Sequence, residues 1–306
     1  MKTEYFNLLS SDGVHQLNCK VYIPLGNAKG IFQLVHGMTE HIERYDEFLK
    51  VICNAGYICV AHDHLGHGKS VNNDDELGFI AEKDGWLRLI EDTHKVASYI
   101  KQKNVNLPHF LLGHSMGSFV VRLYTEKYVG ELDGLIIMGT GGKNPAGKIG
   151  LTLTKIIASI KGKRHISELL YSVAFGGYTK KFSGDSPHRW LSSDSDVWKK
   201  YANDKYCTFK FCTQAMNDLI TLNVKCNEKR HFSNFDKQVP VLLLSGKCDP
   251  VGDFSKGVLY VENMLKEHNA NLISTKLYEN ARHEILNDFC KEKVHSDILN
   301  FLTINT

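Results

Sequence analysis

Apolar runs the length of a β-strand recur along this chain, at residues 31–35, 57–61, 110–112, 135–138 and 241–245. They are continuous rather than alternating, which is the pattern of strands buried on both faces. Segments with helical spacing separate them, such as Tyr45, Phe48, Leu49 and Ile52, or the long stretch from about 84 to 103. Strand, helix, strand in this order demands a parallel crossover, so an α/β fold with helices on both sides of a mostly parallel sheet is expected. Residues 4–9 and 16–23 alternate instead and are joined through Ser11-Asp12-Gly13, which predicts a hairpin at one sheet edge. After Gly139-Thr140-Gly141-Gly142 the alternation stops until Val239, and the residues between read as helices. It returns with a helix near 257–268, a strand at 274–278 and a helix near 292–302. The organisation expected is a core whose N-terminal part is 1–140, a helical insertion at 141–235, and a C-terminal core part at 236–306.

At 306 residues there is enough chain to bury a large core. The hydrophobic (42%) and charged (23%) fractions exclude disorder, and a net charge of +3 is too small for a nucleic-acid binder. The longest apolar stretches fall far short of the roughly 20 residues a spanning helix needs. The first residues move straight into a strand pattern with no apolar signal region, so export by that route is not expected. The 8 cysteines show no paired short spacing and no Cys/His metal pattern, which fits reduced thiols and a cytoplasmic protein.

Gly113-His114-Ser115-Met116-Gly117 fits the Gly-x-Ser-x-Gly elbow, between an apolar strand and an apolar helix. A strand-to-helix turn that sharp closes only if the positions two before and two after the serine are small. It lifts the hydroxyl to a helix N-terminus, where free N–H groups favour a developing anion. Ser115 is therefore the candidate nucleophile.

A serine needs a general base, and behind such an elbow the partners follow in the order Ser, acid, His. Of the later histidines, His165, His188 and His231 lie in the insertion, while His268 and His295 sit in expected helices. His283 stands in a loop just past the last strand and is the candidate base. Asp249, which ends the strand at 241–245 ahead of Pro250, is the candidate acid, with Asp253 its nearest competitor. Two N–H donors should hold the oxyanion, those of Met116 and of Met38 in His36-Gly37-Met38, with Gly37 expected to turn the backbone so that the next amide faces inward.

With these residues in place the chain resembles the monoacylglycerol lipase and lysophospholipase group of the α/β-hydrolases. The resemblance spans almost the whole chain. It rests on His36-Gly37-Met38-Thr39-Glu40-His41, on His62-Asp63-His64-Leu65-Gly66-His67-Gly68-Lys69-Ser70, on Leu111 through Gly117, and on Asp249 and His283. Met38 and Thr39 stand where the better-known animal lipases have small residues, which is closer to the bacterial members and bears on the acyl chain preferred. The resemblance implies the α/β-hydrolase fold with an eight-stranded, mostly parallel sheet and a helical cap. It also implies no cofactor, and hydrolysis of monoacylglycerols, lysophospholipids or other single-chain esters. The segment 62–70 resembles a supporting loop of that group, and no metal is expected there.

Within the insertion, Ile149, Leu153, Ile156, Ile157 and Ile160 recur at helical spacing among Lys148, Lys155 and Lys161. Such a helix packs its apolar stripe on the core or dips it into a membrane surface, and both readings stay open here. The expected partner is a small-molecule or lipid ester. Competing readings are an esterase for short or aromatic acyl groups, a serine aminopeptidase using cap carboxylates such as Glu168, Asp194 or Asp196, and a non-catalytic binding module. Oligomeric state and leaving group are not legible.

Overall fold

The computed structural model describes residues 1–306. The opening hairpin is β1 (Lys2–Leu9) and β2 (Gln16–Ile23). Then come β3 (Gly30–Val35), α1 (Asp46–Asn54), β4 (Tyr57–His62), α2 (Gly85–Lys103), β5 (His109–His114), α3 (Met116–Lys127) and β6 (Gly134–Met138). Five helices follow: α4 (Gly147–Lys161), α5 (Glu168–Phe175), α6 (Ser195–Ala202), α7 (Thr213–Cys226) and α8 (Lys229–Asn234). The chain closes with β7 (Val241–Gly246), α9 (Lys256–Glu267), β8 (Ile273–Tyr278) and α10 (Lys291–Ile304).

The strands form one eight-stranded sheet in the order β1-β2-β4-β3-β5-β6-β7-β8. The pairs β1–β2 and β2–β4 are antiparallel and the remaining pairs parallel. The hairpin is indeed at an edge, and β1 is exposed along most of its length, which suits an unpaired edge carrying Lys2 and Glu4.

The continuous apolar runs have a direct cause. Successive side chains point to opposite faces, and both faces are covered. Ile31, Val35, Leu111, Leu135 and Ile137 enter one core, against α2, α3, α7 and α9. Their neighbours Phe32, Leu34, Phe110, Leu112 and Ile136 enter the other, against α1 and α10. In a parallel sheet buried this way, the carboxyl ends of β3, β5, β7 and β8 open onto one rim, where chemistry is expected to assemble. Residues 36–38, 115, 249 and 283 all lie just past those ends.

Candidate active site

Ser115 lies between β5 and α3 with φ 54° and ψ −118°, a conformation β-carbon sterics disfavour. The surroundings hold it there: its N–H donates to Met138 O on the neighbouring strand at 3.0 Å. A Cβ on Gly113 would collide with the backbone of Gly117, and one on Gly117 with the carbonyl of Val35. Both glycines are therefore needed by the close approach of α3 to the sheet. Met116 opens α3 and is buried, so its amide follows the serine directly at the helix N-terminus.

Asp249 is fully buried three residues past β7, and its carboxylate is doubly anchored. One oxygen accepts from Val251 N at 2.8 Å, and the other is 2.9 Å from His283 Nδ1. That bond leaves His283 Nε2 as the free ring nitrogen. Asp253, the competitor, has a side chain 66% exposed and pairs with Lys256 at the surface. The imidazole of His283 and the elbow flank the same point, because a Cβ on Gly139, next to Met138, would stand 3.1 Å from His283 Cε1. Ser115 Oγ is not hydrogen-bonded to the imidazole in this state: the structure joins Asp249 to His283 and brings Ser115 and His283 to the same rim around Met138 and Gly139, without the last bond.

The loop after β3 differs from expectation in one respect. Its left-handed residue is Thr39 (φ 51°), not Gly37. Gly37 serves proximity instead: a Cβ there would lie 2.9 Å from the Cβ of Ser115. Glu40 Oε1 accepts the Gly37 N–H at 2.5 Å and fixes the loop, and Met38, half-buried, is the next residue along. Behind it, His36 Nε2 accepts the His64 N–H at 2.9 Å. His62, His64 and His67 are fully buried, with rings packed edge to face rather than converging on a point. Asp63 binds the amides of Ile42 and Lys69 at 2.9 Å each. This segment supports the loop.

A second histidine, which the sequence reading passed over as the variable residue of the elbow, sits against the first. The His114 ring is 4.7 Å from that of His283, and its Nε2 is 3.3 Å from the His283 carbonyl oxygen. On its other side, His114 Nδ1 meets Glu40 Oε1 at 3.1 Å and the Tyr45 hydroxyl at 2.7 Å. Arg44 bonds Glu40 at 3.0 Å and clasps Glu284 through two nitrogens at 2.8 and 2.7 Å. Burial opposes charge on His114, but the Glu40 and Glu284 carboxylates outweigh it and hold the imidazole above its ordinary range. Burial likewise pushes Glu40 up, and His114 and Arg44 outweigh that and hold it well below the usual carboxylate range. Trp190, from the segment between α5 and α6, covers the open face of His283 at 5.1 Å. Glu40 stood in sequence only as a member of the motif at 36–41, and nothing there linked it or Arg44 to position 283.

This geometry agrees with what the chain resembles. A family model described as serine aminopeptidase, S33, matches residues 26–289. The human monoglyceride lipase is 26% identical over 280 residues, covering 90% of this chain and 82% of that protein. A monoacylglycerol lipase of Mycolicibacterium smegmatis is 23% identical, covering 92% and 91%. Among solved structures, a highly thermostable carboxyl esterase from Bacillus coagulans in complex with glycerol superposes with a TM-score of 0.93 at 28% identity, covering 99% of this chain and 98% of that one. By its sheet, its elbow and a family match over most of its length, the chain is an α/β-hydrolase of the family described as serine aminopeptidase, S33, and within it resembles the monoacylglycerol lipases.

Proposed function

We propose that this hydrolase cleaves carboxylic esters of single-chain lipids through an acyl-enzyme on Ser115. The observation that supports the reading is the strained serine of the elbow on the same sheet rim as a buried Asp249–His283 pair. In this reading His283 Nε2 takes the hydroxyl proton as Ser115 Oγ attacks the ester carbon, and Asp249 stabilises the imidazolium. The amides of Met116 and Met38 hold the oxyanion. The alcohol leaves with the proton from His283, and a water activated by the same nitrogen releases the acid. The missing Ser115–His283 bond is one that forms as substrate seats, since catalytic hydrogen bonds are often loose before binding. The residues supply the nucleophile, the base and the charge stabilisation themselves, and the mechanism calls on no cofactor.

The lipid part of the proposal rests on the segment 141–235, which we read as a cap. In α4, Leu153 and Ile157 pack on the core, while Ile149, Ile156 and Ile160 are 72%, 50% and 75% exposed beside Lys148, Lys155 and Lys161. An apolar stripe flanked by lysines suits an anionic lipid surface, where single-chain esters reside. No helix is long and apolar enough to cross a membrane. Free cysteines, including the buried Cys19 and Cys53, support a reducing, cytoplasmic setting.

The peptidase reading needs a carboxylate aimed at a substrate amine. Glu168 pairs with Lys210, Asp196 with Lys199, and Asp194 caps α6, so the cap carboxylates weighed for that role are occupied at the surface. Glu40 and Glu284 are held by Arg44. The deciding experiment is a panel of p-nitrophenyl esters, monoacylglycerols and an aminoacyl amide, run beside fluorophosphonate labelling. Labelling lost in Ser115→Ala, with esters cleaved and the amide spared, is the expected result. Faster cleavage of the amide than of any ester, or wild-type protein that stays unlabelled, overturns the proposal.

A further inference from the structure

Away from Ser115, the chain brings together three ligand types that lie far apart in sequence: the imidazole of His41, the carboxylate of Asp204 and the thiol of Cys207. One donor atom from each falls within 4.8 Å of both others. His41 follows the loop of Met38 and Thr39 and projects from extended backbone (φ −154°, ψ 167°). Asp204 and Cys207 come from the turn after α6, where Cys207 N donates to Asp204 O at 2.9 Å. A turn closed between residues i and i+3 puts both side chains on one side, the device by which short spacings of ligands grip a metal.

The ligands are poised individually as well. Asp204 Oδ1 is fixed by the Tyr206 N–H at 2.9 Å, which leaves Oδ2 to face His41 Nε2 at 2.9 Å. Cys207 is a free thiol, 2% exposed, with its donor atom in the same group. The Tyr206 ring packs against that of His41, at 5.6 Å, and restrains it. Arg44 stands near, but Glu40 and Glu284 neutralise it, so the field around the three ligands does not repel a cation.

We infer that His41, Asp204 and Cys207 form a binding site for a zinc-like divalent cation that ties the turn after α6 to the loop carrying Met38. One nitrogen, one carboxylate oxygen and one sulfur match the borderline-soft preference of zinc or cobalt, and not that of magnesium or calcium. Bonds of roughly 2.0–2.3 Å in a tetrahedron put ligand atoms about 3.3–3.8 Å apart. Entry of the ion therefore requires the His41–Asp204 pair, 2.9 Å apart, to open by less than about 1 Å, and the wider donor pairs, up to 4.8 Å apart, to close by up to about 1.5 Å, which side chains on two loops can supply. Water takes the fourth position. The same junction is already fastened by Tyr201, whose hydroxyl meets Thr39 Oγ1 at 2.6 Å and Thr39 O at 2.9 Å. A bound ion would tighten it and resist movement of the cap away from the loop.

The test uses the full-length, reduced protein stripped of metal, and is independent of any hydrolysis assay. Co2+ titration followed by absorbance should show one equivalent bound, with tetrahedral d–d bands and a thiolate-to-metal charge-transfer band. Zn2+ titrated by calorimetry should bind at the same stoichiometry and raise the thermal unfolding midpoint. Cys207→Ser should remove the charge-transfer band. Cys207→Ser and the surface change Asp204→Asn should each weaken binding by roughly 100-fold or more, since even losing a group that merely orients a ligand costs 10–100-fold. Cys248→Ser, elsewhere in the fold, should bind as wild type. Binding without the thiolate band, equal binding by Asp204→Asn, or no saturable binding at micromolar metal overturns the inference.

Discussion

His114 Nε2 lies 3.3 Å from the carbonyl oxygen of His283, so the residue before the nucleophile holds the backbone of the candidate base. Asp249 holds that imidazole from one side, and the Glu40–His114 pair steadies its main chain from the other. Glu40→Gln should therefore lower kcat by about 10–100-fold with little change in KM, since the pair touches no substrate. An unaltered kcat, or a change confined to KM, would show that the pair takes no part in positioning.

The same pair should leave a mark on stability. His114 is raised above its ordinary 6.5, so its contribution is fully present below pH 6.5 and is lost as pH rises through the raised value. Glu40 is depressed below its ordinary 4.5, so its contribution is present above pH 4.5 and is lost as pH falls through the depressed value. Between those limits wild type should exceed Glu40→Gln by about 3–5 kcal/mol in urea unfolding, the cost of stranding a buried charge, and the gap should narrow above pH 6.5.

Burial pushes His62 down to about 4, and neither of its ring nitrogens has a partner. A histidine depressed in the fold gives stability that is complete above its ordinary 6.5 and drains as pH falls toward 4. His62→Leu should flatten the acid limb of stability against pH by about 1.4 kcal/mol per unit, which is one proton fewer taken up on unfolding. At pH 7 it should be neutral or stabilising by about 1 kcal/mol, because no unpaired polar group is then buried.

Ser115→Gly separates strain from chemistry. Activity should fall by roughly 10^5-fold or more, as when a hydrolase loses its nucleophile. Stability should rise by about 1 kcal/mol, because glycine tolerates φ 54° without steric cost. Urea unfolding beside a p-nitrophenyl ester assay measures both.

Replacing Ile156 and Ile160 with glutamate should cut binding to anionic vesicles by tenfold or more, while hydrolysis of a soluble short-chain ester stays within about twofold. Co-sedimentation and a p-nitrophenyl acetate assay would decide it, and equal sedimentation of both proteins would remove α4 as the contact.

The sequence by itself determined the parallel sheet, the edge hairpin and the strand-to-helix turn at Ser115, and it singled out Asp249 and His283, whose side chains the fold brings to 2.9 Å. Each is a local signal: a period, a turn requirement, or an order along the chain. Gly113 and Gly117 were legible because backbone sterics at a sharp turn admit few residues. Tertiary structure alone decided that Glu40 and His114, 74 residues apart, share a buried proton-holding contact behind His283. It also decided that Thr39 rather than Gly37 carries the left-handed turn, and that His41 faces Asp204 across 163 residues. Periodicity reports which face of an element is buried, whereas these contacts depend on which loops the strand order β4-β3-β5 and the returning helices bring to one rim, and no local pattern encodes that.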